Sequence, residues 1–523
     1  MEVSPPPDRS RSIGVGGAAL IVSASILFSR LLGLLRETIL AALLGLSSQG
    51  DFYRDAFVVP DFLNYLLAGG FLSITLIPIL ARRIESGDES GLQRDFAIVL
   101  RWLAAAIVVL TALTVLTVRP LVNLLFPRLN DGAVVEVARL TRIVLPAQIF
   151  FVLGGLLMAY QYAHRRFLIP ALAPLIYNLG IIAGGLIGRA GGGSASAEGF
   201  IWGALIGAGA GNFALQWWGA RKAGWRWARA GGRVDSGRGV LREYLLLALP
   251  LMIGQSVTVL DEQFPRLFGQ LAGEGGTAAL SLARMLNMLP VGIIAQAAGV
   301  AAFPFLARLV AGGRAEEADQ QTTKAASAAA VIAFAVAALV WATALPLVRL
   351  VYRWGAFEEG DVVTVASLLA IFALAIPAWA VHQIVSRWFY AHRRMWLPVV
   401  TGTVATVLAI PVTLLAFDRF GIDGIAMASS LVMWAYTVAL VVAWSRTRAS
   451  TASSMVSLLV RLAIAGLVAA VAGRLLIDRI YTDSLASALL STFVTALATV
   501  LVYVLVVIGL GLRQQLPGKI PAR

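Results

Sequence analysis

The sequence predicts an all-α polytopic membrane protein with about fourteen transmembrane helices. They form two six-helix lobes, related by a pseudo-two-fold axis along the membrane normal, plus a C-terminal helix pair. Three observations predict this. Hydrophobic residues fill 59% of 523 positions and charged residues only 13%, against about 25% charged in soluble domains. Apolar windows long enough to cross ~30 Å of hydrocarbon follow one another from end to end. The chain also repeats itself at an offset of 226–228 residues.

Taken in order, the apolar segments lie near 13–46, 52–81, 97–118, 133–161, 167–188, 199–220, 243–270, 277–307, 325–348, 362–389, 397–417, 422–445, 452–473 and 485–512. Helices are the expected form, because hydrocarbon leaves no partner for an unpaired backbone group. Strand-like alternation in short units, the barrel signature, is absent from the sequence. The first segment follows Arg9 and Arg11 like a signal peptide. It is too long for an apolar signal core, holds Arg30, and reads as a retained first helix.

The net charge of +14 raises the question of nucleic acid, and its distribution answers it. With the N-terminus in the cytoplasm, the termini and even-numbered loops hold 25 of the 42 Lys and Arg, and the odd-numbered loops 8. That is the positive-inside rule with both termini cytoplasmic. The basic balance is topology, in a multi-pass membrane protein whose surroundings are membrane lipids; no nucleic acid is expected as a partner. With no cysteine, thiol catalysis, disulfides and Cys-based metal sites are excluded.

Tyr162-Ala163-His164-Arg165-Arg166 reappears as Tyr390-Ala391-His392-Arg393-Arg394, with Pro170 and Pro398 four residues further on. Pro78-Ile79-Leu80-Ala81-Arg82 is echoed by Pro304-Phe305-Leu306-Ala307-Arg308, and Pro120-Leu121-Val122 by Pro346-Leu347-Val348. Three echoes at one offset mark an internal duplication. Six spans per period is an even number, so both copies face the same way, with the substrate site expected between them. The expected divisions are 1–220 (spans 1–6), a basic cytoplasmic linker at 221–242, 243–446 (spans 7–12), and 447–523 for the terminal pair and cytoplasmic tail.

Charge inside the apolar segments locates the candidate site. In the first lobe, Arg30 and Glu37 are seven apart and share a helix face, and Arg36 points about a third of a turn away. Asp51, Arg54 and Asp55 are spaced to pair along the mouth of helix 2. Asp61 lies on the Arg54 face, and Pro60 is expected to bend that helix. In the second lobe, Asp261, Glu262 and Arg266 occupy helix 7, and Arg284 and Asn287 helix 8. Charges at such depth are expensive and mark transport pathways. Structural glue between helices is the lesser alternative for Glu37, Asp51 and Asp55, and Glu262 with Arg266 reads equally as a local pair. Arginine in a wet cavity suits phosphate, because its planar fork bonds two oxygens at once. Gly203, Gly207 and Gly211, four apart, predict close helix packing. His382 reads as a buried, hydrogen-bonded histidine. No nucleophile–base pair, metal-spaced carboxylate set or phosphate loop supports an enzyme, and no cofactor is expected.

At Ser29-Arg30-Leu31-Leu32-Gly33-Leu34-Leu35-Arg36-Glu37 the chain resembles the MurJ/MviN family of lipid II flippases, within the multidrug/oligosaccharidyl-lipid/polysaccharide exporter superfamily. The similarity continues through Asp51, Pro60, Phe71-Leu72-Ser73, Phe167 to Pro174 with Asn178, Arg353-Trp354-Gly355-Ala356-Phe357 and Phe389-Tyr390-Ala391. It covers about 12–512. It implies a substrate of undecaprenyl-diphosphate carrying a disaccharide-pentapeptide, moved to the outer leaflet for cell-wall synthesis by alternating access, with coupling to a monovalent ion or the membrane potential. The wall-building machinery is a further partner class. By position Arg30 and Arg36 match the family's helix 1 diphosphate-binding arginines, Glu37 the acid after them and Asp51 the helix 2 aspartate. Arg284 stands near the helix 8 arginine, one residue out of register. The cavity-support set is Glu37, Asp51, Arg54, Asp55, Asn64, Asp261, Glu262 and Arg266. Asn64 and Tyr65 stand where the family often has a basic pair, and Gly69 where an acid is expected, so Arg54 is the nearby arginine able to compensate. The terminal pair is expected to shape a lipid-tail groove, with Val500, Leu501, Val504 and Leu505 as lining candidates. A flippase for another polyprenyl-diphosphate glycan, a cation-coupled drug antiporter and a non-transporting scaffold are the alternatives.

Overall fold

In a computed structural model the chain is described over residues 15–67, 71–191, 196–227, 239–246, 263–446, 449–482 and 485–512. Among these residues the regular structure is helical. The chain separates into two units: Met1–Leu44 with Phe52–Val259, and Gly45–Asp51 with Leu260–Arg523.

The first unit begins with α1 (Val15–Leu44), followed by α2 (Ser48–Asp55), whose last four residues belong here, and α3 (Val58–Leu67). Pro60 does not bend a continuous helix as expected. It stands at the third residue of α3, and the break falls just before it, at residues 56–57. The cause is local: Pro60 has no N–H for the Ala56 carbonyl, and its ring would strike that carbonyl in an unbroken helix. The orphaned Ala56 oxygen is satisfied from outside, by the Thr141 hydroxyl at 3.2 Å.

Next come α4 (Phe71–Glu85), α5 (Glu89–Leu125), α6 (Asp131–Val144), α7 (Ala147–Ala163), α8 (Leu168–Ala190) and α9 (Ala197–Gly207). A π-helical turn, Ala208–Ala214, joins α9 to α10 (Leu215–Lys222). The glycine stripe acts as expected. A Cβ at Gly203 would sit 2.3 Å from the Gly180 carbonyl oxygen, and one at Gly184 2.3 Å from that of Gly199. Only glycine lets α8 and α9 approach that closely.

The second unit holds a helical stretch at 263–272, then α11 (Gly276–Ala311), α12 (Ala315–Tyr352), α13 (Glu359–Ala373) and α14 (Ile376–Ala391). They are followed by α15 (Trp396–Ser445), α16 (Ala449–Ile480) and α17 (Leu485–Gly509). Helices α13 and α14 bend by 40° at Leu374 and Ala375, ahead of Pro377. Side chains of α15 capture carbonyls around that break: Ser430 bonds Ile371 O at 3.1 Å, Trp434 bonds Leu374 O at 2.8 Å, and Thr437 bonds Ala378 O at 3.1 Å. Helix α15 contains two expected spans, parted where Gly421 adopts φ 59° and ψ −139°. The terminal pair packs against α12, tied by the Tyr503 hydroxyl to Val331 O at 2.8 Å.

Eight helices among the described residues are long and apolar enough to cross a membrane, or nine if the bent pair is one span. The expected fourteen differ from this count for visible reasons. Two spans share α15, α1 carries three charges (Arg30, Arg36 and Glu37), the second segment is divided among α2, α3 and α4, the sixth is interrupted by the π turn, and 247–262 lies outside the described residues.

The sequence period has a local structural counterpart. Gly87 (φ 71°) precedes α5 as Gly313 (φ 73°) precedes α12. Among the described residues, Arg165 (φ 56°) and Arg393 (φ 57°) are the only non-glycine residues in the left-handed region. Each closes a Schellman-type cap: Arg166 N bonds Gln161 O and Arg394 N bonds Phe389 O, both at 2.9 Å. The repeated Tyr-Ala-His-Arg-Arg motif is thus a helix stop. In both copies the histidine Nδ1 lies 2.9 Å from the carbonyl of the residue four before it.

Candidate functional site

The first unit concentrates charge where α1, α2 and α8 meet. Arg36 and Glu37 lie on α1, about two turns before its end, and Arg54 lies on α2. Glu37 uses both oxygens: Oε1 takes Nη2 of Arg36 at 2.8 Å, and Oε2 takes Nη2 of Arg54 at 3.1 Å. Arg36 extends its other terminal nitrogen to Asn178 Oδ1 on α8 at 3.0 Å. Asn178 is fixed in turn, its amide nitrogen donating to Pro174 O at 2.9 Å, a carbonyl on its own helix. Arg54 is buried with 4% of its side chain exposed, whereas Arg36 keeps 22%. Two guanidiniums share one carboxylate, so these three groups carry one net positive charge. Arg36 also keeps a buried Nε with no hydrogen-bond partner. Aromatic contacts brace the surroundings: Tyr53 packs edge-on against Phe57 and Phe200, and Tyr177 against Phe151.

The remaining candidates divide. Arg30 lies half-buried on α1 and makes no hydrogen bond or ion pair with another described residue. Asp55 is buried on α2, and Asn64 is half-buried on α3. Asp51 belongs to the second unit and serves α11: its two oxygens accept from Gly275 N at 2.7 Å and Ala278 N at 2.8 Å, capping that helix. Beside it, the Ser48 N–H and hydroxyl bond Glu274 Oε1 at 3.0 and 2.7 Å, which holds the Glu274 carboxyl below the usual range. Arg284 sits half-buried on α11, and Asn287 is buried there with an unbonded Oδ1. Arg266 bonds Gln263 Oε1 at 3.3 Å. Asp261, Glu262 and Gly69 lie outside the described residues, as does the question of a Glu262–Arg266 pair.

A second feature is apolar. Phe334 and Trp341 of α12, Pro377, Trp434 of α15, and Gly466 and Leu467 of α16 line a groove of about 370 Å³. The candidates Val500, Leu501, Val504 and Leu505 do not line it. Leu501 and Leu505 are 58% and 59% exposed, and α16 rather than α17 supplies the groove wall.

Buried arginine–carboxylate networks inside a many-helix, apolar chain define a membrane transporter. The model of the family described as "Lipid II flippase MurJ" matches residues 40–495. This chain belongs to that family. It is 28% identical over 438 residues to a probable lipid II flippase MurJ of Rhizobium tropici, covering 82% of this chain and 79% of the relative. It is 25% identical over 393 residues to the lipid II flippase MurJ of Burkholderia cenocepacia, covering 73% and 74%. Its fold is similar to a solved structure of lipid II flippase MurJ in an inward closed conformation, with TM-score 0.75 and 18% identity over 94% of this chain and 99% of the other. It is also similar to an inward-facing MATE family transporter, with TM-score 0.66 and 16% identity over 84% of this chain and 99% of that one.

Asn178 and Tyr177 have no signal in charge or periodicity; Asn178 stood out through the resemblance alone. Arg54 was legible as an intramembrane charge, but its link to Arg36 through Glu37 crosses a turn and was not.

Proposed function

We propose that this protein moves undecaprenyl-diphosphate-linked peptidoglycan precursor, lipid II, from the inner to the outer leaflet of the bacterial inner membrane by alternating access. The observation that carries the reading is the Arg36–Glu37–Arg54 network, in a chain belonging to a flippase family. Arg36 is the most accessible member of that network. With Arg30 of the same helix it binds the diphosphate, whose oxygens match a guanidinium fork; Arg284 is the diphosphate-binding candidate of the second unit. Glu37 holds both network guanidiniums in place between turnovers. A monovalent ion or the membrane potential supplies the drive, and both termini face the cytoplasm. The groove beside Leu467 takes part of the polyprenyl tail, and the wall-building machinery receives the product.

The test is depletion rescue. This chain, expressed in a cell depleted of its own lipid II flippase, is expected to restore growth and outer-leaflet lipid II, and its Arg36→Ala variant to restore neither. Failure of the unaltered, membrane-inserted chain overturns the lipid II assignment. Export of a different polyprenyl-diphosphate glycan in that experiment would redirect it to the related substrate.

A further inference from the structure

In the second unit, three chain segments line an open recess of about 260 Å³, in which Ser457 and Arg461 are exposed. Thr323 and Ser327 come from α12, Ser457 and Arg461 from α16, and Leu512 follows α17. Each polar pair is four apart, so each stands on one face of its helix. The apolar stretch Met455–Ile480 is long enough to span a membrane, and Arg461 lies six residues inside it. No acidic residue lies within a turn of it, and it makes no hydrogen bond or ion pair with another described residue. A cation at that depth needs a counter-charge, and the flexible stem of arginine lets its head rise toward the headgroup layer to meet one.

The neighbouring groups narrow the ligand. The hydroxyls of Ser327 and Ser457 are bonded to no described residue and remain donors. Thr323 donates its hydroxyl to Asp319 O at 2.9 Å, which leaves its oxygen as an acceptor. Leu458 and Leu512 supply apolar wall. One guanidinium and two hydroxyl donors fit a phosphate ester, one acceptor fits an alcohol on the same headgroup, and the wall fits a hydrocarbon body. We propose that this cavity binds the phosphodiester of an anionic glycerophospholipid of the phosphatidylglycerol type, with Arg461 as its anchor. The bound lipid is a resident of the terminal pair and is distinct from the transported substrate.

Native mass spectrometry of the full detergent-purified chain tests this, with phosphatidylglycerol, phosphatidylethanolamine and inorganic phosphate titrated separately. Arg461→Gln is expected to lower phosphatidylglycerol retention about tenfold, the size of one charge-assisted hydrogen bond, with phosphatidylethanolamine retention unchanged. Arg461→Lys is expected to retain phosphatidylglycerol within about threefold of the unaltered chain, since it keeps the charge and loses the fork. Ser327→Ala with Ser457→Ala is expected to lower retention while Arg461 stays in place, and so reads the site even if the glutamine variant fails to fold. Equal phosphatidylglycerol retention in the unaltered chain and the folded variants overturns the proposal. Binding of inorganic phosphate that depends on Arg461, without any lipid preference, assigns the cavity to a soluble anion and also overturns it.

Discussion

Glu37 is the residue on which the charged network turns, because one carboxylate holds two guanidiniums, one of them almost wholly buried. Removing one partner of a buried pair costs about 3–5 kcal/mol, since the other charge is left uncompensated. Glu37→Ala is therefore expected to lower the melting temperature of the detergent-solubilised protein clearly. Adding Arg54→Ala should recover part of that loss, a coupling that a double-mutant cycle measures directly. Arg36 has a different role in the proposal, so its variants should separate from those of Glu37. Arg36→Lys keeps the charge but not the fork bonding Glu37 and Asn178, and is expected to retain stability while flipping more slowly. A flipping rate for Arg36→Lys equal to that of the unaltered chain would remove Arg36 from the phosphate site. Thr141 carries a smaller effect: Thr141→Val strands the buried Ala56 carbonyl and is expected to cost about 1–3 kcal/mol in unfolding measurements. Arg36, Glu37 and Arg54 were legible in the sequence because charge is conspicuous in an apolar run. Asn178 was legible only through the family resemblance, because a lone amide changes neither hydropathy nor period, and the role of Thr141 depends on a helix break 85 residues away.

At the scale of elements, the same sequence features that position the site also divide the helices. The α8–α9 contact was readable because glycines four apart have few other uses in an apolar helix. Gly203→Val is expected to abolish correct assembly, since even a Cβ there would lie 2.3 Å from the Gly180 carbonyl oxygen; folded yield after membrane extraction reports it. Gly87→Ala is the control. It has open space around its Cβ, and its left-handed φ of 71° should cost only about 1–2 kcal/mol with near-normal yield. Element boundaries were harder to foresee. Pro60 announced irregularity, but a proline breaks a helix at the carbonyl it abandons, up to four residues earlier. The tertiary partner of that carbonyl then decides the path of the chain beyond the break. Thr141 plays that part in the first unit, while in the second Ser430, Trp434 and Thr437 hold the nearby carbonyls of Ile371, Leu374 and Ala378. The π turn at Ala208–Ala214 has no proline at all, and close packing accompanies it: a Cβ on Gly154 would lie 1.7 Å from the Asn212 carbonyl oxygen.

At the scale of the whole molecule, the duplication and the charge asymmetry make one joint claim about topology. The duplication is supported locally by paired helix stops at Arg165 and Arg393 and paired turns at Gly87 and Gly313. Two copies that face the same way require an even number of spans per copy, and a terminal pair keeps the total even. Both ends of the chain are then expected on one side. The loops carrying 25 of the 42 Lys and Arg make the cytoplasm the expected side. Parity depends on the number of crossings and not on how each span is broken, so an even total is expected whether the spans are continuous helices or, as with the bent pair at 359–391, broken ones. The chain contains no cysteine, so single cysteines report sidedness without background. In intact spheroplasts a membrane-impermeant maleimide is expected to label Arg128→Cys and Thr482→Cys. Ser10→Cys, Ser236→Cys and Lys519→Cys should react only after permeabilisation. If Ser10→Cys and Lys519→Cys react from opposite sides, the span count is odd and the parity argument fails. If both react in intact spheroplasts, the count is even but the charge rule has been misapplied, and the cationic network would have to receive its substrate from the other leaflet.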